Sequence, residues 1–531
     1  MPQSTSSHFG GSLLLWAMSL AGVWLGAVGS SAGGKFSFSM HHRYSQPVKG
    51  MLPSGLDGLP LPEEGTVDYY RAMVHRDWEV HPGRRLSSRG GDGDGPPLTF
   101  ANGNDTYRIS SLGFLQYANV TVGTPSLSFL VALDTGSDLF WLPCDCISCV
   151  WGLKTSGGQE ILFNMYSPTT SSTGSAVPCN SASCRSKHVC VGDHGNCPYQ
   201  VIYASNGTSS TGVLVNDFLH LVTDDDQGKL VDANITFGCG RIQTGSFLKG
   251  GPPNGLLGLG MTDISVPSIL ASQGLISNSF SMCFGSKDIV GRISFGDKGS
   301  PAQGETTFNL GHSHPFYNIT ITGINVNGTA DIEFTAIFDS GTSITHLMDP
   351  AYTLISESFN SRAKDKRRPW DPSIPFEYCY ELSPNQNTIE VEALNLTMRG
   401  GDVFSIKYPL ALVSLNDSTD IYCLAMVRDD RLNIIGQNFM KGYRIVFDRE
   451  RMVLGWKDSD CYSAEEDVSQ PETPLSSAPV LAPTPIGPGG FSNQDDGLRE
   501  SGKDQPANGS WKPCPSIFIL VISLCPILAV F

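Results

Sequence analysis

Basic residues are scarce in this sequence: 35 Lys and Arg stand against 51 Asp and Glu, a formal net charge of -16. The deficit argues against nucleic acid, and no nucleic-acid partner is expected, because phosphate binding needs clustered positive charge. Charge of either sign is sparse, 16% of residues against 40% hydrophobic. That excludes an extended, charge-solvated chain and leaves material for a packed body. Long helical periods are also rare, which excludes a helical bundle. The glycines of Gly255-Leu256-Leu257-Gly258-Leu259-Gly260 have no Lys-Ser or Lys-Thr after them and no βαβ unit around them. A phosphate-cradling loop is therefore a poor reading of them.

What is there instead is a run of short apolar alternations broken by Gly, Asn and Pro. Tyr117-Ala118-Asn119-Val120-Thr121-Val122-Gly123 alternates like a strand, and similar runs recur at 129–133, 199–203, 212–220, 234–238, 291–296, 316–326 and 443–455. The pattern predicts an all-β (mostly) fold. At 531 residues the chain is too long for one simple core, and two or more lobes are expected. One helix is signalled, with Asp349 as N-cap and Pro350 opening a stretch to Asn360. The basic run Lys364 to Arg368 reads as a solvated surface patch.

The ends have a different character. Residues 1–32 hold an apolar run, Ser12 to Val28, followed by small residues, the shape of a signal peptide whose only basic group before the run is His8. Residues 33–95 contain a strand-like Phe36 to Arg43, a short helix candidate Tyr69 to Trp78 and a Gly-, Asp- and Pro-rich linker from Gly90 to Pro97. They read as a removable propeptide ending between Arg84-Arg85 and Arg89. Two lobes follow, 107–300 and 301–462. Residues 463–508 are rich in Pro, Ser, Asp and Gly and read as a disordered linker. Residues 509–531 end in an apolar run from Ser516, short for a membrane span and without a basic flank. With Asn508-Gly509-Ser510 before it, this tail is expected to be a GPI-attachment signal, attached at Asn508; a single-pass tail anchor is the alternative.

Twelve of the 14 Cys lie between Cys144 and Cys461. Behind a signal peptide, an even number reads as disulfides. A metal site built from Cys144, Cys146, Cys149, Cys179, Cys184, His188, Cys190, His194 and Cys197 is the rival reading. Their irregular spacing and the oxidising compartment decide against it, and neither a metal nor a cofactor is expected. N-glycosylation sequons begin at Asn104, Asn119, Asn206, Asn234, Asn318, Asn327, Asn395, Asn416 and Asn508, as suits a secretory glycoprotein.

Two stretches read as copies of one another. Val131-Ala132-Leu133-Asp134-Thr135-Gly136-Ser137 and Ala336-Ile337-Phe338-Asp339-Ser340-Gly341-Thr342 each end a buried strand in Asp, then hydroxyl, Gly, hydroxyl. A lone carboxylate at such a position is costly. Two, about two hundred residues apart, suggest carboxylates that meet across a pseudo-twofold axis. Gly255 to Gly260 and Asn433-Ile434-Ile435-Gly436 form a second repeated element, two apolar residues before a Gly, in the same order. Two adjacent carboxyls share one proton. The ionised member activates a water and the protonated one binds a carbonyl, which hydrolyses an amide without a covalent intermediate. Glycosidases also use two carboxylates, but that reading leaves the matched Asp frames and the Gly elements unexplained.

On these residues the chain, from Tyr107 to Tyr462, resembles the pepsin-like aspartic endopeptidases. The resemblance implies a bilobal fold with the active-site cleft between two β-rich lobes, and Asp134 and Asp339 as the catalytic pair. It implies Thr135 and Ser340 bonded across the junction, Ser137 and Thr342 on the outer carboxylate oxygens, and Gly136 and Gly341 supporting them. Tyr203, in the hairpin Tyr199 to Gly207, takes the flap position, although Ala204 stands where the family has Gly; Trp141 is similar to the Trp that bonds the flap Tyr. The Cys-rich insert from Cys144 to Cys197 resembles the plant nepenthesin-type subgroup. That resemblance implies Cys179–Cys197, Cys184–Cys190, Cys149–Cys239, Cys283–Cys461 and Cys379–Cys423, leaving Cys144 to Cys146. The expected protein is a monomeric, secreted zymogen that hydrolyses polypeptides at the outer face of the plasma membrane. The alternative is a catalytically silent binding or inhibitor protein of the same fold.

Overall fold

The computed structural model describes residues 35–42, 65–80 and 116–461 apart from short loop segments, and the backbone of 518–521. The signal, linker and attachment-site readings, with Asn104, Asn206, Asn327, Asn416, Asn508, His188 and His194, lie outside the described residues.

The alternating runs are strands. Gln116–Val122, Leu127–Asp134, Trp141–Ser148, Pro198–Ile202, Ser209–Val222 and Leu230–Thr244 build the first half. Asn318–Val326, Thr329–Phe338, Thr345–Leu347, Leu394–Met398, Val403–Ile406, Met426–Arg428 and Ile434–Ile435 form the seven-stranded sheet of the second. The run at 443–455 is two strands, Tyr443–Asp448 and Val453–Asp458, paired across a turn. Six strands form one end of the largest sheet, in the order Gly304–Thr307, Val453–Asp458, Tyr443–Asp448, Ser279–Cys283, Gly291–Phe295, Phe36–His42. Both halves contribute to this stretch, so it bridges them. Its core is aromatic: Phe280 stacks on Phe447 with centroids 4.7 Å apart, and Tyr317 meets the same ring edge-on at 4.5 Å. Offset and edge contacts of this kind add to the stabilisation from burial.

The N-terminal region is woven into the body. Phe36–His42 pairs with Gly291–Phe295 on one side and with Gln116 and Tyr117 on the other, and it buries Phe36 and Met40. The helix Val67–Val80 packs Val74 into a cluster with Ile344, Phe376, Val413 and Val427. The later helix starts one residue beyond the sequence expectation. It spans Ala351–Asn360, with Pro350 at the cap. Pro350 has no side-chain acceptor, and the Asp349 carboxylate instead reaches one turn in to the N–H of Thr353. In the terminal apolar run, Phe518–Val521 pairs antiparallel with Thr388–Val391. Among the described residues no helix is long and apolar enough to cross a membrane.

Four of the six expected disulfides are corrected. The structure joins Cys144 to Cys239, Cys146 to Cys149, Cys179 to Cys190 and Cys184 to Cys197, and keeps Cys283–Cys461 and Cys379–Cys423. Register decides the first two. Trp141–Ser148 runs parallel beside Leu230–Thr244 with Cys239 opposite Leu142, so Cys144 comes within 4.9 Å of Cys239 between Cα atoms. Cys146, two residues along, then closes on Cys149 and not on Cys144. Register also decides the others. Pro178 bridges Asn196 and Cys179 N–H donates to Gly195 O. Cys179 thus sits two places from the position opposite Cys197 and is left to Cys190.

Candidate active site

Each Asp motif is held by a three-strand arrangement, and the two arrangements match. Leu256–Gly258 lies parallel to Leu127–Asp134 and antiparallel to Trp141–Ser148, with Gly258 opposite Asp134. Ile434–Ile435 lies parallel to Thr329–Phe338 and antiparallel to Thr345–Leu347, with Ile435 opposite Phe338. The repeated Gly elements therefore act as wedges between the strand that delivers each Asp and the strand that leaves it. The wedges need Gly for close approach: a Cβ at Gly258 runs into the backbone of Asp138, and one at Gly436 into the backbone of Ile344.

The delivered carboxylates are almost fully buried, Asp134 8% and Asp339 6% exposed, and they are bonded alike. Asp134 Oδ1 accepts from Gly136 N–H at 2.9 Å and Oδ2 from Ser137 Oγ at 2.6 Å. Asp339 Oδ1 accepts from Gly341 N–H at 2.8 Å and Oδ2 from Thr342 Oγ1 at 2.6 Å. The Oδ2 atoms are thus pinned outward and the Oδ1 atoms face one another. The ideal Cβ position of Gly341 lies 3.0 Å from Asp339 Oδ1 and 3.4 Å from Asp134 Oδ1; that of Gly136 lies 3.2 Å from Asp134 Oδ1 and 4.0 Å from Asp339 Oδ1. Below the pair, Ser340 N–H donates to Thr135 Oγ1 at 3.1 Å, and the two hydroxyls are 3.3 Å apart. Burying two carboxyls so close is tolerable because each is hydrogen-bonded and one proton suffices for both.

Tyr203 follows the strand Pro198–Ile202, which pairs antiparallel with Ser209–Val222 as a hairpin. Trp141 donates from its indole N–H to the Tyr203 hydroxyl at 2.8 Å. Burial pushes the Tyr203 phenol well above its ordinary range, and the nearby Asp134 carboxylate adds to that. The phenol therefore stays protonated and able to donate.

Two residues at the site were not singled out from the sequence. Phe247 meets both Trp141 and Tyr203, with centroids 5.1 and 5.0 Å away, and wedges the hairpin against the lobe. Tyr317 ties the halves beneath the pair. Its carbonyl accepts from Phe338 N–H at 3.0 Å, and its hydroxyl donates to Leu259 O at 2.6 Å. Leu259 N–H in turn donates to Asp134 O at 2.9 Å. Phe247 lies in a short 3-10 segment with no periodicity to reveal it. Tyr317 had a sequence cue, an aromatic at the head of a strand, but nothing to show that it faces the other half.

Among the described residues, the Cys groups close enough to share an ion, Cys179 with Cys184 and Cys190, and Cys144 with Cys239, are all in disulfides. A disulfide sulfur has no thiolate to give a metal. Of the sequons, Asn119 and Asn234 are exposed, while Asn318 and Asn395 are half-buried. Asn318 Oδ1 also accepts from Asn309 Nδ2 at 2.8 Å.

The chain is 57% identical over 434 residues to aspartyl protease family protein 1 of Arabidopsis thaliana, covering 81% of this chain and 82% of that one. The chain belongs to the pepsin-like aspartic protease family. This protease is also similar to aspartic proteinase-like protein 1 of A. thaliana, at 35% identity over 85% of this chain and 86% of the other, and to nepenthesin-2 of Nepenthes gracilis, at 26% over 65% and 77%. It is accordingly an aspartic-type endopeptidase acting on polypeptide. The family models that match are the xylanase inhibitor N-terminal, over residues 117–297, and the xylanase inhibitor C-terminal, over 316–458. In fold the protease is similar to soybean basic 7S globulin, with a TM-score of 0.51 at 20% identity, over 65% of this chain and 92% of the globulin.

Proposed function

We propose that this protease hydrolyses peptide bonds with Asp134 and Asp339 sharing one proton across the facing Oδ1 atoms. The observation that carries this reading is the matched bonding of the two carboxyls, each fixed by its own hydroxyl and its own Gly N–H. The ionised member takes a proton from a water as it attacks the scissile carbonyl. The protonated member donates to the carbonyl oxygen, so a tetrahedral intermediate forms and collapses with no covalent bond to the enzyme. The Tyr203 hairpin closes over the extended substrate, and Trp141 and Phe247 set its resting position.

Further parts of the reading extend beyond the site. Residues 1–32 direct the chain to the secretory pathway, 33–95 act as a propeptide, and Asn508 receives a GPI anchor. The mature protein is then a monomeric glycoprotein on the outer face of the plasma membrane. The silent alternative, a binding or inhibitor protein, has less support, because both Asp and both pairs of hydroxyls are present.

The deciding experiment is peptide hydrolysis by the processed chain across a pH series, with and without pepstatin. The expectation is acidic activity, abolished by pepstatin and by either Asp134→Asn or Asp339→Asn. Full hydrolysis by Asp134→Asn after confirmed processing would sink the proposal.

A further inference from the structure

The first Gly element runs on into a strap, residues 259–262, with two bonded faces. Three of its N–H groups turn toward the first Asp motif. Leu259 N–H donates to Asp134 O at 2.9 Å, Gly260 N–H to Ser137 O at 2.8 Å, and Thr262 N–H to Asp138 Oδ1 at 3.0 Å. Two of its carbonyls turn toward the second half. Leu259 O accepts from the Tyr317 hydroxyl at 2.6 Å, and Met261 O accepts from Arg449 Nη2 at 2.9 Å. Arg449 lies in the turn between the strands Tyr443–Asp448 and Val453–Asp458. The same guanidinium donates from Nη1 to Ser265 Oγ at 3.3 Å and from Nη2 to Ser268 Oγ. Each of those hydroxyls in turn donates to Thr262 O, at 2.8 and 2.7 Å. The guanidinium thus holds the far end of the strap directly and through two serines.

Stability does not account for this placement. Arg449 is 7% exposed, and the three acceptors named for it are all neutral. Burying a guanidinium in such company is costly. The side chain also sits at the head of the helix Val266–Ser272, whose N-cap is Ser265. A cation there meets the positive end of the helix dipole. Burial pulls the guanidinium below its ordinary range, and the Tyr317 phenol and the Asp138 carboxylate work against that. Asp138 directly follows Ser137, the residue that fixes Asp134 Oδ2. Both the hydrogen bonds and the charge of Arg449 are therefore directed at the turn that carries the first Asp.

We propose that Arg449 is a positioning residue for the hydrolysis: from the second half it holds the strap Leu259–Thr262, and through the strap it sets where Asp134 meets Asp339. The proposal rests on the reading of those two carboxyls as the reacting pair. Gly136 and Ser137 fix the Asp134 carboxylate, but they belong to its own turn and move with it. The bond from Ser340 N–H to Thr135 Oγ1 ties the two turns at their base. The strap ties the first turn at three further points, Asp134 O, Ser137 O and the Asp138 carboxylate, and hands them to the half that carries Asp339. A reacting group misplaced by about 1 Å can cost about a hundredfold in rate. Arg suits the task because its planar fork reaches the Met261 carbonyl and both serine hydroxyls at once, whereas an ammonium is a single point charge.

The test is steady-state kinetics of the purified protease on one extended peptide, with rates normalised to the folded fraction from a denaturant curve. Arg449→Met fills much of the same space and removes every donor. Its kcat is expected to fall by about tenfold or more while KM stays within about twofold, because the loss falls on the reacting group and not on peptide binding. Arg449→Lys keeps the charge and one donor to Met261 O, so its kcat should lie between that of Arg449→Met and that of the parent. Tyr317→Phe removes only the hydroxyl at Leu259 O and should lower kcat about fivefold, the value of one hydrogen bond, again with KM kept. If Arg449→Met does not fold, Ser265→Ala combined with Ser268→Ala takes its place, with the same split expected between kcat and KM; the Ser265 hydroxyl makes no cap bond to the helix. A folded variant with the parental kcat, or a loss confined to KM, would overturn the role of Arg449 alone. Full hydrolysis by Asp134→Asn would overturn the Asp134–Asp339 reading and take this role with it.

Discussion

Replacing Trp141 by Phe removes the donor to the Tyr203 hydroxyl together with part of a fully buried ring. The indole N–H sits 2.8 Å from the Tyr203 hydroxyl, and Phe keeps a ring against Phe247. A neutral hydrogen bond is worth about 1 kcal/mol net, or about a fivefold change in the population of the positioned hairpin. We therefore expect kcat/KM on an extended peptide to fall about fivefold for Trp141→Phe, by the same conversion. The buried Trp also leaves a small void, costing roughly 1–2 kcal/mol of stability, so rates must be normalised to the folded fraction. Tyr203→Phe should cost at least as much, because that hydroxyl also faces Ser137. The double variant should be no worse than Tyr203→Phe alone, a coupling of about 1 kcal/mol, since both changes remove the same bond. The pH profile should keep its shape, because the buried phenol does not titrate in the working range. If the two losses simply multiply, Trp141 does not act through Tyr203 and the account of the flap fails.

Gly436→Ala should destabilise the second half by roughly 1–3 kcal/mol, because its new Cβ meets Ile344 backbone atoms; a denaturant midpoint checks this, and an unchanged midpoint would remove the wedge argument. His220 gives a pH signature. Burial lowers its pKa, but hydrogen bonds to Gly123 O at 2.8 Å and Asp232 at 2.7 Å outweigh burial and raise it. Its contribution is therefore fully present below the ordinary value of 6.5 and is lost as pH rises through the raised folded value. His220→Gln should flatten the fall in Tm with pH above that ordinary value, and an unaltered slope would count against the assignment. Glycopeptide mass spectrometry should find more sugar at exposed Asn119 and Asn234 than at half-buried Asn318 and Asn395; full occupancy at Asn318 would count against burial as the deciding factor.

The sequence was most legible where chemistry is local. An apolar run ending in Asp-hydroxyl-Gly-hydroxyl carries its own turn and its own donors, so Asp134 and Asp339 and their neighbours stood out without any knowledge of the fold. The Gly elements stood out for a related reason, since backbone contact admits no side chain. Cysteine partners did not, because Cys144 is matched by register against a strand far along the chain and Cys179 by the bridge of Pro178 to Asn196, and in each a shift of two residues changes the partner. Tyr317 was hidden for the same reason: it is an ordinary aromatic in its own segment, and its importance comes from Leu259 of the other half.

The strand Phe36–His42 and the helix Val67–Val80 are attached by different means, and this gives the N-terminal region two separate lifetimes. The helix is docked mainly through side chains, Arg71 on Ser373 O and Val74 in the apolar cluster, with one backbone bridge at its head from Thr66 to Ser414. The strand is stitched by its backbone between Gly291–Phe295 and Gln116–Val122, and it is the seam that makes one continuous sheet of two. A chain cut between them is expected to retain the strand as a non-covalent guest, because its backbone pairing does not depend on the covalent link to the helix. Under the propeptide proposal, a processed enzyme run on a denaturing gel is expected to show that strand as a small second peptide.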